Sequence, residues 1–364
     1  MDSTVGIFIH SFAGGGAERS AVTLANAIAE RGWRVQFIVQ TIDGPFRKLL
    51  DPRTDVLVLG GRQRWLPIRL GRYLRRHQPK SIISFMTEFN IIAIISAILS
   101  GWRGRLIVSE HTTMQETRVE LGSWRSWVLR GLMRLLYRRA DRVVAVSQQL
   151  ANDLVMQLDL PAQKVVAIPN PVPGEEIRRM SIVPVSHRFF SEGVPVLMAV
   201  GRLHSYKDYP TLVRAVADLR ERQDVRLIVL GEGPARSELE ALVKSLGLSE
   251  VVDLPGFVSP PWPWMARADV LALSSWAEGW PNVLAEALAL GVTVVATDCP
   301  TGPREILDGG KFGRLVPVGD VGEMSAAIKA TLDNPPDGGA LRRRAEEWST
   351  GRVLQAYLSC INTI

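Results

Sequence analysis

The chain has 364 residues, 46% of them hydrophobic, which excludes a disordered protein and leaves room for two domains, each with its own core. Cys299 and Cys360 are too few for a disulfide framework and show no metal-ligand spacing, so a reducing, cytosolic setting is expected. The net charge of +6 is uneven: residues 1–172 carry 23 Lys+Arg against 13 Asp+Glu, and the remainder carries 20 against 24.

The opening "MDSTVGIFIH" lacks a basic start, a long apolar run and a small-residue cleavage site, so no secretory signal is expected. Its "VGIFIH" reads as a strand. "SFAGGGAERS" follows and opens a helix. Its glycines permit close backbone approach to a ligand, and helix-start N–H groups suit an anion. Neither P-loop nor G-x-G-x-x-G spacing is met, and a turn glycine cluster is the plainer alternative. "IIAIISAIL" at 91–99 is far short of the roughly 20 residues of a spanning helix and reads as a buried one. "VSEHTTM" sets His111 at the end of the strand "RLIV", beside Glu110. An imidazole there can donate to a substrate hydroxyl or a leaving phosphate, or can be structural.

Basic residues concentrate in "RQRWLPIRLGRYLRRHQPK" (62–80) and "WRSWVLRGLMRLLYRRADR" (124–142). In the second, Arg130, Arg134 and Arg138 recur every four residues, with Leu132, Leu135 and Leu136 between them and Trp124 and Trp127 at the start. That pattern predicts a basic amphipathic helix suited to an anionic membrane surface; a core-packed helix with a solvated basic face is the alternative. No DNA- or RNA-reading motif accompanies these runs, so nucleic acid is not the expected partner.

Short apolar runs alternate with helical patterns up to "PNPVPG" (169–174), where a second series begins with "PVLMAVGRL". This alternation predicts an α/β protein of two doubly wound domains, parallel sheets covered by helices, hinged near residue 170. Ligands of such sheets bind beyond the carboxyl ends of the strands, so the strand-end loops hold the candidates. "VGRLHSYKDYP" supplies Arg202 and Lys207, two cations suited to a pyrophosphate. "LPGFVS" offers Phe257 and Val258 as a wall for a base. "AEGWPNVLAEAL" sets Glu278 before the turn Gly279-Trp280-Pro281 and Glu286 on the helix that follows. The amides of Asn282 and Val283 would face a phosphate, Glu286 would accept from two ribose hydroxyls, and Glu278 from those of a sugar.

Taken in order, "GGGAERS", "SEH", "RVVAVS", "IPNPV", "VGRLHSYKDYPTLVRA", "GEGP", "GFV" and "AEGWPNVLAEALALGVTVVATDCPTGPREIL" resemble the retaining, nucleotide-sugar-dependent glycosyltransferases of family 4, with their E-x7-E signature. The resemblance implies the GT-B fold, two Rossmann-like domains facing a central cleft. It divides the chain into an acceptor domain over 1–170, a donor domain over 171–345, and a C-terminal helix over 346–364 returning toward the first domain. It implies a donor diphosphate at Arg202 and Lys207, ribose at Glu286, donor sugar at Glu278, and His111 beside the reacting centre. Gly15 and Gly16 would close over the phosphates, and no bound metal or other cofactor is implied. "TDCPTGPREIL" is similar to bacterial hexosaminyltransferases that extend lipid-diphosphate-linked glycans. The implied partners are a UDP-sugar such as UDP-GalNAc, the lipid-linked acceptor, and an anionic membrane surface on the cytoplasmic side. GDP-mannose or a UDP-hexose is the alternative donor. A dinucleotide oxidoreductase would need the absent G-x-G-x-x-G. An inactive membrane-attached scaffold would keep the fold without turnover.

Overall fold

A computed structural model describes residues 4–113 and 122–362 and divides the chain into two compact units, residues 1–171 with 348–364, and residues 172–347. Met114, at the end of the His111 loop, lies outside the described residues.

In the first unit, in chain order, are β1 (Thr4–Ile9), α1 (Gly16–Glu30), β2 (Arg34–Val39), β3 (Asp55–Val58), α2 (Leu66–His77), β4 (Ser81–Phe85) and α3 (Thr87–Ser100). They are followed by β5 (Arg105–Glu110), α4 (Ser123–Leu136), β6 (Arg142–Ala145), α5 (Gln148–Leu158) and β7 (Val165–Ala167). The seven strands pair in parallel in the order β3-β2-β1-β4-β5-β6-β7. Val5, Ile7, Phe8 and Ile9 on β1 are all fully buried, as strands covered by helices on both faces must be.

The second unit holds α6 (Gly174–Ser181), β8 (Val196–Val200), α7 (Tyr209–Arg220), β9 (Arg226–Leu230), α8 (Arg236–Ser245), β10 (Val252–Gly256), α9 (Trp262–Met265) and β11 (Val270–Leu273). It continues through α10 (Asn282–Leu290), β12 (Thr293–Thr297), α11 (Pro303–Ile306), β13 (Arg314–Val316), α12 (Val321–Asp333) and α13 (Gly338–Ala345). Its parallel order is β10-β9-β8-β11-β12-β13. The strand order of each sheet reverses once, between β1 and β4 in the first and between β8 and β11 in the second. These are the topological switch points where crevices open at the carboxyl ends of strands.

The last helix, α14 (Thr350–Asn362), belongs to the first unit: Val353, Leu354, Tyr357, Cys360 and Ile361 join the core formed by β1, β2 and α1. The helix over "IIAIISAIL" is buried only in part. Ile91 to Ile94 face the core, whereas Ile98 and Leu99 in its last turn are exposed. No helix among the described residues is long and apolar enough to cross a membrane.

Candidate active site

In the second unit the loop after β8 and the loop after β11 meet at the switch point. They are stitched together by the Trp276 amide donating to the Tyr206 carbonyl (2.8 Å) and the Ser274 hydroxyl donating to the Lys207 carbonyl (2.8 Å). Across this seam Lys207 Nζ donates to Glu278 Oε1 at 2.6 Å, with side chains only 15% and 6% exposed. Burial works against the Lys207 charge, but Glu278, joined by Tyr206 and Tyr209, outweighs it and raises the lysine pKa. The Ser275 hydroxyl donates to the same Oε1 at 2.6 Å. Glu278 Oε2 has no hydrogen-bond partner among the described residues. A carboxylate held by one oxygen and open at the other is placed to accept from a ligand hydroxyl.

Lys207 and Glu278, expected at different parts of a ligand, are thus one buried ion pair. Arg202 differs: its side chain is exposed and has no ion-pair partner among the described residues. The loop therefore offers one uncompensated cation and one cation balanced from within the protein. Pro281 precedes α10 without a side-chain cap, and Asn282 and Val283 open the helix. Glu286, one turn in, is 6% exposed and lies on a buried face of α10, so it is not a solvated surface acid. The turn Gly279-Trp280-Pro281 is buried too, backed by Thr301, whose hydroxyl donates to the Glu278 carbonyl. Gly302 has φ +87, and a Cβ there would press on Pro281 Cδ at 2.5 Å. Only glycine fits against the turn. After β10, Phe257 is half exposed and Val258 partly buried, beside each other.

In the first unit, Gly15 is the N-terminal cap of α1 and Gly16 its first residue; buried Glu18 sits in the first turn. His111 follows β5. Its Nε2 lies 3.0 Å from Ser109 Oγ, which lies 3.1 Å from Tyr357 Oη of α14. Burial pushes the His111 pKa down to about 3, so the ring is neutral at physiological pH and acts as a hydrogen-bonding group, not as a cation. Glu110 turns away from it into the core. It accepts from Thr87 (2.6 Å), Tyr137 (2.7 Å) and Thr112 (3.1 Å), and burial raises its pKa. Met86, at φ +73, closes the adjacent loop by donating its amide to the Ser109 carbonyl. A non-glycine residue in that region stores strain next to the candidate site.

The basic amphipathic helix is shorter than its sequence pattern. α4 ends at Leu136, and Arg138 lies in the following 3-10 turn. Arg134 (3.3 Å) and Arg138 (2.6 Å) both reach Asp159, so one carboxylate within the protein offsets part of the expected basic face. Arg130 is exposed and outside any ion pair among the described residues. Trp124, Trp127 and Leu135 are each about two-thirds exposed, and with Val128 they form one apolar stripe at helical spacing.

Ser275, Tyr209 and Tyr357 escaped sequence reasoning. Ser275, three residues before Glu278, carried a local signal; Tyr357, 248 residues from Ser109, carried none. A groove of about 820 Å³ lined by His187, Phe190 and Arg267 lies near the amino-terminal end of β8, away from these loops. Among the described residues no group of three His, Cys, Asp or Glu is arranged to hold a metal ion.

Comparison with known proteins follows the same two-unit division. A family model described as Glycosyltransferase Family 4 matches residues 14–176, and one described as Glycosyl transferases group 1 matches residues 194–334. One relative, from Campylobacter jejuni, is 29% identical over 352 residues, 94% of this chain and 93% of that protein. It is named an N-acetylgalactosamine-N,N'-diacetylbacillosaminyl-diphospho-undecaprenol 4-alpha-N-acetylgalactosaminyltransferase. A second protein of that organism, an alpha-1,4-N-acetyl-D-galactosaminyltransferase named for a diNAcBac-PP-undecaprenol glycan, is 27% identical, covering 98% of each chain. Among solved structures, Anabaena HepE in complex with UDP-glucose superposes with a TM-score of 0.82 at 20% identity, covering 99% of this chain and 100% of that one.

Proposed function

The chain belongs to the family 4 glycosyltransferases of GT-B fold, and from that premise we propose that it transfers an N-acetylhexosamine, GalNAc in the first instance, from a UDP donor to a lipid-diphosphate-linked glycan, with retention. The observation that carries the reading is the Lys207–Glu278 pair beside unpaired Arg202 at the switch point of the second sheet. The names of the Campylobacter relatives support the sugar and the acceptor, and the UDP-glucose complex of the structural neighbour supports the base.

In this reading Arg202, Lys207 and the amides of Asn282 and Val283 hold the diphosphate, where fixed donors face the charge that develops on the leaving group. Glu286 takes the ribose, Phe257 and Val258 the base, and Glu278 Oε2 with Gly279, Trp280 and Pro281 the sugar. The bond between the anomeric carbon and the diphosphate oxygen breaks as the acceptor oxygen bonds to the same face of that carbon. The acceptor proton passes to the departing phosphate oxygen. His111 donates from its neutral ring to the sugar, and Gly15 and Gly16 approach the phosphates. The acceptor and the anionic inner face of the cytoplasmic membrane are assigned to α4, through Trp124, Trp127 and Arg130, with Arg134 and Arg138 contributing if their hold on Asp159 is exchanged for phosphate. No metal takes part.

A thermal-shift panel of nucleotide sugars tests the donor. Stabilisation by UDP-GalNAc or UDP-GlcNAc is expected, because a ligand that binds only the folded state raises the melting temperature. Stabilisation by GDP-mannose alone, or by a UDP-hexose alone, would replace the donor.

A further inference from the structure

We propose that Ser109 and Tyr357 act as a positioning pair that holds His111 as its Nδ1–H tautomer, leaving Nδ1 as the donor offered to the substrate. The proposal rests on the reading of His111 as a residue that meets the substrate.

Counting protons decides the direction of the chain. Tyr357 Oη is 3.1 Å from Ser109 Oγ, which is 3.0 Å from His111 Nε2; Tyr357 is 3% exposed and Ser109 fully buried. Among the described residues neither hydroxyl has another hydrogen-bond partner. Each carries one proton, and burial keeps the phenol protonated by raising its pKa. If Tyr357 donates to Ser109 and Ser109 donates to Nε2, both hydroxyl protons have acceptors. With the imidazole proton on Nε2, by contrast, one of the two hydroxyl protons is left without an acceptor in a buried place, which is the costly outcome. The neutral ring then bears its single proton on Nδ1, which has no partner among the described residues. Tyr357 reaches this position because α14 packs on the core of the first unit, so the last helix reaches the candidate site through hydrogen bonds as well as packing.

The test is long-range 1H–15N correlation of the full chain labelled at its five histidines, with His111→Ala assigning the signal. The wild type is expected to show a protonated Nδ1 and an unprotonated, pyridine-like Nε2 for His111. Ser109→Ala should move the proton toward Nε2, and Tyr357→Phe, which keeps the ring packing, should give a smaller shift in the same direction. In turnover, Ser109→Ala should lower kcat about tenfold or more with donor KM little changed. A protonated Nε2 in the wild type, or an unchanged signal in Ser109→Ala, would overturn the assignment. The expected spectra together with full activity in His111→Ala would leave the tautomer standing and remove His111 from the reaction.

Discussion

At the scale of single residues, the ion pair of Lys207 and Glu278 says more about function than about stability. Burying two charges costs desolvation that their attraction only roughly offsets, whereas removing one partner strands the other. Lys207→Met is therefore expected to destabilise the second unit by about 3–5 kcal/mol, read as a fall in denaturation midpoint, and the double variant Lys207→Met/Glu278→Gln to recover part of it. Because the lysine pKa is raised in the fold, the pair's contribution is complete below the lysine's unfolded pKa and is lost only as pH rises through the higher folded value. Arg202 is the converse case. It is exposed and uncompensated, and Arg202→Ala is expected to lower kcat by roughly 10²- to 10³-fold, more than Glu286→Asp does; equal turnover in Arg202→Ala and wild type would remove the diphosphate assignment. His111 gives a pH signature. Its folded pKa is depressed from 6.5 to about 3, so its stabilising contribution is present above pH 6.5 and is lost as pH falls toward 3, at about 1.4 kcal/mol per unit at most. Melting curves of wild type and His111→Gln should diverge across that window; parallel curves would contradict the burial of the ring.

Individual elements show how far sequence alone reaches. The strands were legible because a parallel strand covered on both faces is an unbroken apolar run, as in "VGIFIH" and "VTVVATD". The strand-end loops were legible because glycines, cations and acids interrupt those runs. What could not be read is which side chains meet: Lys207 and Glu278 are 71 positions apart, and only the reversal of strand order between β8 and β11 brings them together. The α4 helix shows the opposite limit. Its arginine period suggested one continuous basic face, but Asp159, after α5, claims Arg134 and Arg138, and its apolar stripe is the more exposed feature. If α4 lies on membrane, Trp124→Ala/Trp127→Ala should lower cosedimentation with phosphatidylglycerol vesicles while donor-induced thermal shifts stay as in wild type. Retained cosedimentation would place membrane contact elsewhere. At α14, Leu354→Ala opens a hole in the core of the first unit and is expected to cost about 2–5 kcal/mol.

The whole molecule joins two sheets of the same doubly wound design, whose charge differs in sign: the N-terminal half is basic and the rest slightly acidic. That asymmetry fits the proposed assignment of an anionic, lipid-linked acceptor to the first unit; in the rest of the chain acids slightly outnumber cations, and Arg202 and Lys207 are the cations set in the loop at the switch point of the second sheet. The proposed retention and metal independence are tested at this scale. Turnover is expected to survive EDTA, and the glycosidic product to be α-configured from an α-linked donor. The most direct test is to incubate the purified chain with UDP-GalNAc and a polyprenyl-diphosphate-linked N-acetylhexosamine acceptor in phosphatidylglycerol vesicles, and to follow UDP and the mass of the lipid. Acceptor-dependent UDP release matched by a gain of one N-acetylhexosamine, both lost in Arg202→Ala, is the expected result. No acceptor-dependent release with UDP-GalNAc or UDP-GlcNAc, or transfer only from GDP-mannose, would contradict the proposed reaction.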